Sequence, residues 1–344
     1  MTGASAFFNH LLFSKTRFHA LGFLRIVLVY SMAPGRLNVN SVTDNDRGYV
    51  NWAVDAVHEP GLLIKLLGAP FPVPAEWATE LSVAYFVVAA FAITGLFCRP
   101  ALLAFGLATI YLAGIDAARG LFDHQVSFTS QVILILAFAP GATAISLDRF
   151  IKWSFKKNRP EGSLWQYLLG PAVPVWGLRT ILILLGCTYF AAGFSKVRYG
   201  GLKWADGHTL SHYLDGSAHS GSSNAKPMFI GPTELPEACK WKDGYGIYSY
   251  SYGNRQSSHL SRQAGKFIAA HKPLIIGASV ATVLFQLAGI LLLLANGWVR
   301  ILYLLLAILM HKTIGVLMGL PFPDYQIVCF LLLDWRWICF KLRP

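Results

Sequence analysis

Charged residues are scarce in this chain, and acidic residues are the scarcer kind. Asp, Glu, Lys and Arg together make up 13% of its 344 residues, whereas a soluble domain carries about 25%. There are 17 acidic and 29 basic residues, which gives a net charge of +12. Hydrophobic residues account for 55% of the chain, and its mean hydropathy is +0.49. This composition excludes an ordinary soluble domain. Since no basic stripe is interleaved with base-stacking aromatic residues, no nucleic-acid partner is expected.

Motifs for metals, nucleotides and nucleophilic catalysis are missing from the sequence. It contains no HExxH, no CxxC and no carboxylate cluster, so no metal is expected. Neither GxxxxGK[ST] nor a GxGxxG placed between a strand and a helix occurs, which argues against nucleotide binding. No Ser-His-Asp signature is visible. The five cysteines give no disulfide framework and are expected to be small hydrophobic residues of a membrane core: Cys98, Cys187, Cys239, Cys329 and Cys339.

Long apolar runs are what the sequence has instead. A helix needs about 20 mostly apolar residues to cross the hydrocarbon of a bilayer. The first run contains Arg25 and ends in a stretch that resembles a signal-peptidase site, but Pro34 directly after it favours a retained helix. The sequence predicts an all-α integral membrane protein with about eight transmembrane helices in one bundle formed by residues 1–344. The runs are 18–34, 79–98, 100–119, 125–146, 174–196, 273–296, 298–319 and 322–340.

Basic residues in the short loops set the expected orientation, because Lys and Arg concentrate on the cytoplasmic side of membrane proteins. With the N-terminus inside, the cytoplasmic loops hold most of these residues, including the cluster between Arg149 and Arg159. Both termini are then cytoplasmic, and the long segment 197–272 is extracytoplasmic. The expected location is a bacterial inner or plasma membrane, or the endoplasmic reticulum of a eukaryote.

Two extracytoplasmic segments are more than simple turns. Residues 35–77 include EPGLLIKLLGAPFPVP, which can lie in the membrane interface. In the 197–272 insertion, Tyr248, Tyr250 and Tyr252 alternate with serines, so their rings would share one face of an extended strand. Such a face suits either an aromatic belt at the membrane surface or a platform for a flat ligand or a peptide.

Lys196 closes the apolar run 174–196. Tyr189 and Gly193 precede it by seven and three residues, which places all three on one face of a helix. Gly193 would leave room beside the ammonium group. Lys196 is either an anchor that reaches the membrane surface or a lysine partly removed from water, which can then act as a base.

Other ionisable residues lie at membrane depth, where they are costly and are expected to face the bundle interior. His124, Ser127 and Gln131 form a polar stripe at helical spacing, either hydrogen-bonded within the core or part of a site. His311 and Lys312 lie near the middle of the seventh run, with Ala307 and Gly315 on the histidine's face. Lys312 at mid-membrane needs a carboxylate, water or a function, and Asp116 and Glu80 are possible carboxylate partners. Arg25 and Arg179 are expected in interior ion pairs.

The predicted topology brings Lys196 and His124 to the extracytoplasmic half of the bundle, with His311 deeper. Lysine and histidine that converge in an apolar cavity indicate a functional site.

Four stretches occur in an order that carries a family resemblance. YFAAGFSKVRYGGLKWADG, at 189–207, has an aromatic-rich helix end, an Ala-Gly step, Lys196, and then Trp204 and Gly207. The others are LGFLRI at 21–26, DHQVSFTSQVILILAF at 123–138 and MHKTIGVLMGLPFPDYQIVCFLLL at 310–333. Together they resemble the membrane portion of vitamin K-dependent gamma-carboxylases and of their relatives, the horizontally transferred transmembrane (HTTM) proteins. The similarity covers most of the chain.

The resemblance implies a chemistry. In that family a lysine deprotonates reduced vitamin K, oxygen adds to the quinol anion, and the resulting alkoxide removes a glutamate gamma-proton before carbon dioxide traps the carbanion. Lys196 would be the base and His124 a hydrogen-bond partner of the reacting quinol, with His311 a third catalytic candidate. Contacts to the quinone are expected from Tyr189, Gly193, Trp204 and Ser127.

The implied enzyme is a carbon–carbon lyase or monooxygenase that uses reduced vitamin K, O2 and CO2. Its partners would be the lipid bilayer, a lipid-soluble quinone, and a peptide or small-molecule substrate from the extracytoplasmic side.

One departure leaves the final substrate open. Family carboxylases carry a large lumenal C-terminal domain that engages the substrate protein, whereas this chain ends at Pro344, just after its last apolar run. Carboxylation of glutamate and quinol-coupled deprotonation or oxygenation of another substrate are equally open. Two other classes also remain: a transporter or channel with a path along His311, Lys312 and Arg179, and a non-catalytic DoxX-like membrane subunit in which Lys196 is dispensable.

Overall fold

The computed structural model shows a helical protein. Within the residues that it describes, the chain forms thirteen α-helices and two short antiparallel strand pairs. The predicted helical class is confirmed. The described residues are 3–16, 20–36, 65–66, 68, 77–118, 124–156, 163–214, 240–242, 248–250, 258–295, 297–318, 322–335 and 338.

The chain divides into two compact units, and the first comprises residues 1–182 and 327–332. In this unit α4 lies along α3 and α5, and α2 packs against α3. The strand pair joins Lys15 to Pro174 and Thr16 to Val173. The elements are α1 (Gly3–Phe13), β1 (Lys15–Thr16), α2 (Ala20–Arg36), α3 (Ala78–Thr94), α4 (Cys98–Ala118), α5 (His124–Phe138), α6 (Leu147–Ser154), α7 (Leu164–Leu169) and β2 (Val173–Pro174).

Arg25 on α2 is the main polar residue in the core of the first unit, with none of its surface exposed. Its Nη1 donates to the carbonyl of Ala142 at 2.7 Å, and its Nη2 donates to the carbonyls of Ile145 at 2.8 Å and Ile93 at 3.3 Å. These carbonyls lie at the end of α3 and in the turns after α5, where helix ends leave backbone oxygens without helical partners. Within the described residues, Arg25 therefore donates to backbone carbonyls and to Cys98 Sγ, which lies 3.4 Å from Nη1, whereas an ion pair was expected.

Gly95 makes this arrangement possible. It ends α3 with φ of 72°, a left-handed conformation that glycine adopts without strain. A Cβ at this position would lie 2.9 Å from Arg25 Nη1 and 2.5 Å from the Cβ of Ser146. The glycine thus serves both the turn and the close approach of the guanidinium.

The second unit comprises residues 183–326 and 333–344. α8 begins in the first unit and continues into this one, where it passes into a π-helical turn. The elements are α8 (Trp176–Ser195), the π turn (Lys196–Gly200), a 3-10 helix (Gly201–Asp206), α9 (His208–Leu214), β3 (Lys240–Lys242), β4 (Tyr248–Tyr250), α10 (His259–Ala270), α11 (Lys272–Leu287), a second 3-10 helix (Ala288–Leu293) and α12 (Gly297–Met318). The last helix, α13 (Pro323–Leu331), begins in this unit, and its residues 327–331 belong to the first unit.

Among the described residues, three helices are long and apolar enough to cross a membrane: Trp176–Gly200, Lys272–Leu293 and Gly297–Met318. At 1.5 Å per residue, the 22 residues of the last two span about 33 Å, which matches a hydrocarbon core of about 30 Å. These candidate spans indicate an integral membrane protein.

The other predicted spans are shorter. Four of the predicted runs form apolar helices of 10–17 residues, within α2, α3, α4 and α5. In the run 322–340, α13 has only nine residues and ends at Leu331, a length of about 14 Å. A turn then leads to Asp334, whose carboxylate lies 3.8 Å from Arg300 Nη1. Eight crossings are therefore not seen, and the orientation of the termini stays a prediction.

The two predicted extracytoplasmic segments are described in part. Most of 35–77 lies outside the described residues. The segment 197–272 contains α9, α10 and the β3–β4 pair, in which Tyr248 is opposite Lys242 and Tyr250 is opposite Lys240. The strand expected around these tyrosines is present, while Tyr252 lies outside the described residues.

Glycines bring α8 close to the 3-10 helix Ala288–Leu293. A Cβ at Gly186 would lie 2.6 Å from the carbonyl oxygen of Gly289, and a Cβ at Gly289 would lie 2.6 Å from the carbonyl oxygen of Gly186. Small residues at such crossings let helix backbones approach in the membrane. Because backbone cannot swing aside as a flexible side chain can, any side chain at either position forces the helices apart.

Gly186→Ala should therefore destabilise the second unit by about 1–3 kcal/mol, the usual cost of overpacking. Gly277→Ala is the matched control, because nothing lies within 4 Å of a Cβ at that position of α11 and alanine favours the helix by about 1 kcal/mol over glycine. Thermal unfolding in detergent should give a lower Tm for Gly186→Ala and an equal or higher Tm for Gly277→Ala. Equal melting of Gly186→Ala and the unchanged protein would show that the close crossing is absent.

Candidate functional site

Lys196 lies where α8 changes its winding. It is the first residue of the π turn Lys196–Gly200, which follows Ser195 without a break. π-Helical turns are rare in proteins overall, but those that occur are often found at functional sites. The side chain is half-buried, and it lies four residues before the end of the candidate span Trp176–Gly200.

The ammonium group of Lys196 contacts a backbone oxygen and an indole ring. Nζ donates to the carbonyl of Ala192 at 3.4 Å and lies 5.1 Å from the centroid of the Trp204 ring. Trp204 is held by the 3-10 helix Gly201–Asp206, and its Cβ would be 3.1 Å from a Cβ at Gly200. Among the residues that the structure describes, no carboxylate forms an ion pair with Lys196. The charged form of this lysine is therefore supported only by a dipole and an aromatic face.

Tyr189 and His311 form a buried hydrogen-bonded pair. The tyrosine hydroxyl and His311 Nε2 are 2.7 Å apart, and the two residues are only 4% and 6% exposed. His311 lies on the buried face of α12 beside Ala307, which is itself fully buried. His311 Nδ1 is buried and has no hydrogen-bond partner among the described residues.

Aromatic rings surround this pair. The ring centroid of Tyr189 lies 5.4 Å from that of Phe285 and 5.9 Å from that of Tyr303. The ring of His311 lies 5.1 Å from those of Phe322 and Tyr325. Such contacts between ring edges and faces fix the orientation of the imidazole. The pair is thus buried among aromatic rings, and its tyrosine lies about two helical turns before Lys196 along the chain.

Gly193 lies between the two groups and packs against α11. A Cβ at Gly193 would be 2.9 Å from both the Cβ of Gln286 and the backbone nitrogen of Leu287. The space that the sequence led us to expect beside the ammonium is therefore occupied by another helix. Gly193 permits this close approach, and the residue that it brings next to α8 is Gln286.

Sequence reasoning missed Gln286. It is a single amide in the apolar span Lys272–Leu293, and its Oε1 is buried without a hydrogen-bond partner among the described residues. Ser279, two turns earlier on α11, has a buried Oγ that also lacks a hydrogen-bond partner among the described residues. A polar residue at membrane depth was the signal in the sequence that could have identified Gln286.

The predicted polar stripe of α5 belongs to the first unit. His124 begins α5 as its first residue; its side chain lies outside what the structure describes. Ser127 is half-buried and Gln131 is exposed, so the expectation that the whole stripe faces the interior is wrong for Gln131. Gln131 Nε2 donates to the backbone oxygen of Ser127 at 3.1 Å. The proximity of His124 to Lys196 stays a prediction.

Lys312 faces away from its neighbour in sequence. His311 is buried, whereas Lys312 is exposed on α12 together with Leu305, Leu309 and Val316. No ion pair joins Lys312 to a carboxylate among the described residues; Glu80 is exposed, and the side chain of Asp116 lies outside the described part. The expected interior partner is not found. The transport path along His311, Lys312 and Arg179 stays a prediction.

In the described part of the chain, no group of three His, Cys, Asp or Glu side chains could hold a metal ion. The second unit carries a lysine beside an indole ring, a buried tyrosine–histidine pair and a side-chain amide, and in the described part of the chain no carboxylate pairs with this lysine. This set can accept a proton, bind hydroxyl or carbonyl oxygens, and stack on a flat ring.

Comparisons with protein-family models, curated proteins and solved structures found no match to this chain.

Proposed function

We propose that this protein is a membrane enzyme that binds a reduced, lipid-soluble quinone and removes one of its hydroxyl protons with Lys196. In the full reaction, oxidation of the quinol by O2 is coupled to deprotonation of a second substrate, with CO2 added to the carbanion as in the gamma-carboxylases that the sequence resembles. The second substrate is a glutamate side chain or another carbon acid that arrives from the extracytoplasmic side.

The observation that carries the proposal is the environment of Lys196. A half-buried ammonium at the end of a membrane span, with no carboxylate within ion-pair distance in the described residues, gains little from being charged. Removal from water favours neutral lysine, and a neutral amine is the form that accepts a proton from a quinol hydroxyl. A lysine that merely anchored the helix would instead reach bulk water.

Trp204 has two uses in this proposal. Its ring offers a flat face on which an aromatic quinol can stack. It also lies 5.1 Å from Nζ, so its π-electrons stabilise the ammonium that forms when Lys196 takes the proton.

The polarity of the residues fits the ligand class. Tyr189 and His311 can bind an oxygen of the quinol while their aromatic neighbours keep water away. A bound quinol, together with O2, supplies the strong base that the gamma-carboxylase chemistry needs. The chain's own residues hold and orient the ring, exclude water, and take the first proton at Nζ.

The proposal is tested by giving the purified protein reduced menaquinone or vitamin K under air and analysing the quinone products by mass spectrometry. Quinone epoxide should accumulate, and with ¹⁸O2 the label should enter the epoxide. Anaerobic and heat-denatured samples are the controls. The absence of epoxide under conditions in which a vitamin K-dependent gamma-carboxylase forms it would refute the proposed function.

A further inference from the structure

The side-chain oxygen of Gln286 lacks a hydrogen-bond partner among the described residues, although it lies on an apolar helix. Gln286 lies within the candidate span Lys272–Leu293, and its Oε1 is buried. Its helix neighbour Thr282 differs, because the Thr282 hydroxyl donates to the Ala278 carbonyl at 2.8 Å. A buried, unpaired polar atom costs stability, and such costs concentrate at sites that bind a ligand.

Gln286 lies against α8 at a level between Tyr189 and Lys196. It contacts α8 at Gly193, one turn before Lys196 and one turn after Tyr189. Gln286 therefore lies at the level between the lysine and the Tyr189–His311 pair. Along the chain, three residues separate Gly193 from Lys196, a helical rise of about 4.5 Å.

His311 presents a second unpaired atom in the same unit. Its Nε2 is engaged by the Tyr189 hydroxyl at 2.7 Å, while the buried Nδ1 has no partner among the described residues. The tyrosine hydroxyl can either donate or accept, so Nδ1 can be an acceptor or a donor according to the tautomer. The glutamine amide has the same versatility. Together they can bind one hydroxyl or carbonyl oxygen.

We infer that Gln286 and His311 bind the second oxygen of the quinol ring, the one that Lys196 does not deprotonate. This inference rests on the proposed function and assigns the two residues to ligand binding and orientation. They fix which hydroxyl faces Lys196, whereas proton removal belongs to the lysine.

Gln286→Met tests the inference, because methionine has a similar length but no amide. Binding of reduced short-chain menaquinone is measured without O2, so that no turnover occurs, by quenching of tryptophan fluorescence in detergent. The Kd should rise about tenfold, as expected for the loss of a buried hydrogen bond to the ligand. The Tm of the ligand-free variant should be equal to or higher than that of the unchanged protein, since an unpaired polar atom has been removed. Thr282→Val is the matched control and should leave the Kd unchanged.

The outcomes separate the inference from the proposed function. If the unchanged protein and Gln286→Met bind the reduced quinone equally well, the assignment of Gln286 is wrong while quinol binding stands. A lower Tm with an unchanged Kd shows a structural role for Gln286 and also overturns the assignment. If the unchanged protein does not bind the reduced quinone, both the assignment and the proposed function fail.

Discussion

Replacing Lys196 with methionine is expected to lower the rate of O2-dependent quinone epoxide formation by about 10²–10⁴-fold, the usual contribution of a positioned general base. Methionine keeps an unbranched side chain that can lie against Trp204, but it cannot accept a proton. Because Nζ has no ion-pair partner in the described residues, the substitution leaves no carboxylate unpaired. Binding of reduced quinone under anaerobic conditions should therefore persist, and the loss should appear in kcat.

Two further variants separate a base from a positive charge. Lys196→Arg should be as inactive as the methionine variant, since a guanidinium stays protonated at all accessible pH values. Lys203→Met removes an exposed lysine of the adjacent 3-10 helix and should leave the rate unchanged. Full activity of Lys196→Arg would mean that the residue acts as a cation and not as a base.

The second large effect concerns stability. Arg25→Met should destabilise the first unit by about 3–5 kcal/mol, because several buried carbonyls lose a shared charged donor. The substitution leaves the carbonyls of Ala142, Ile145 and Ile93 without the donor that they share, and each unpaired buried group costs about 1–3 kcal/mol. The measurement is unfolding in mixed micelles of mild detergent and SDS, followed by circular dichroism.

Arg99→Met is the matched control, because Arg99 is an exposed arginine near the start of α4. It should unfold at the same SDS fraction as the unchanged protein. Unfolding of Arg25→Met at that same fraction would mean that the guanidinium contributes nothing net to the fold. Quinol binding gives no information here, since the Arg25 contacts lie entirely in the first unit.

Local features of the second unit could be predicted from the sequence. The spacing of Tyr189 and Lys196 places them on one face of α8, and Ala307 beside His311 is buried as the small-residue pattern indicated. Both follow from helix periodicity alone. The hydrogen bond between Tyr189 and His311 joins residues 122 positions apart. Periodicity within a helix does not specify which helices become neighbours, so this pair could not be derived.

The errors have physical causes. Gly193 was expected to leave space beside Lys196. The space left by the absent side chain of a glycine can instead be occupied by a neighbouring helix, and here α11 occupies it at Gln286. Lys312 was expected to need an interior partner, yet on α12 it projects about 100° away from His311. The last predicted span contains enough apolar residues, but α13 ends at Leu331 and the chain turns before Asp334. Hydropathy alone did not reveal where the chain would turn.

Chemical rescue tests the role of Lys196 most directly. Lys196→Ala leaves a space where the side chain was, and small primary amines added to the assay can occupy it. We predict that the variant forms no quinone epoxide by itself, and that amines restore its formation at rates that increase with the basicity of the neutral amine. If no amine restores activity while the variant still binds reduced quinone, or if Lys196→Ala forms epoxide as fast as the unchanged protein, Lys196 is not the base.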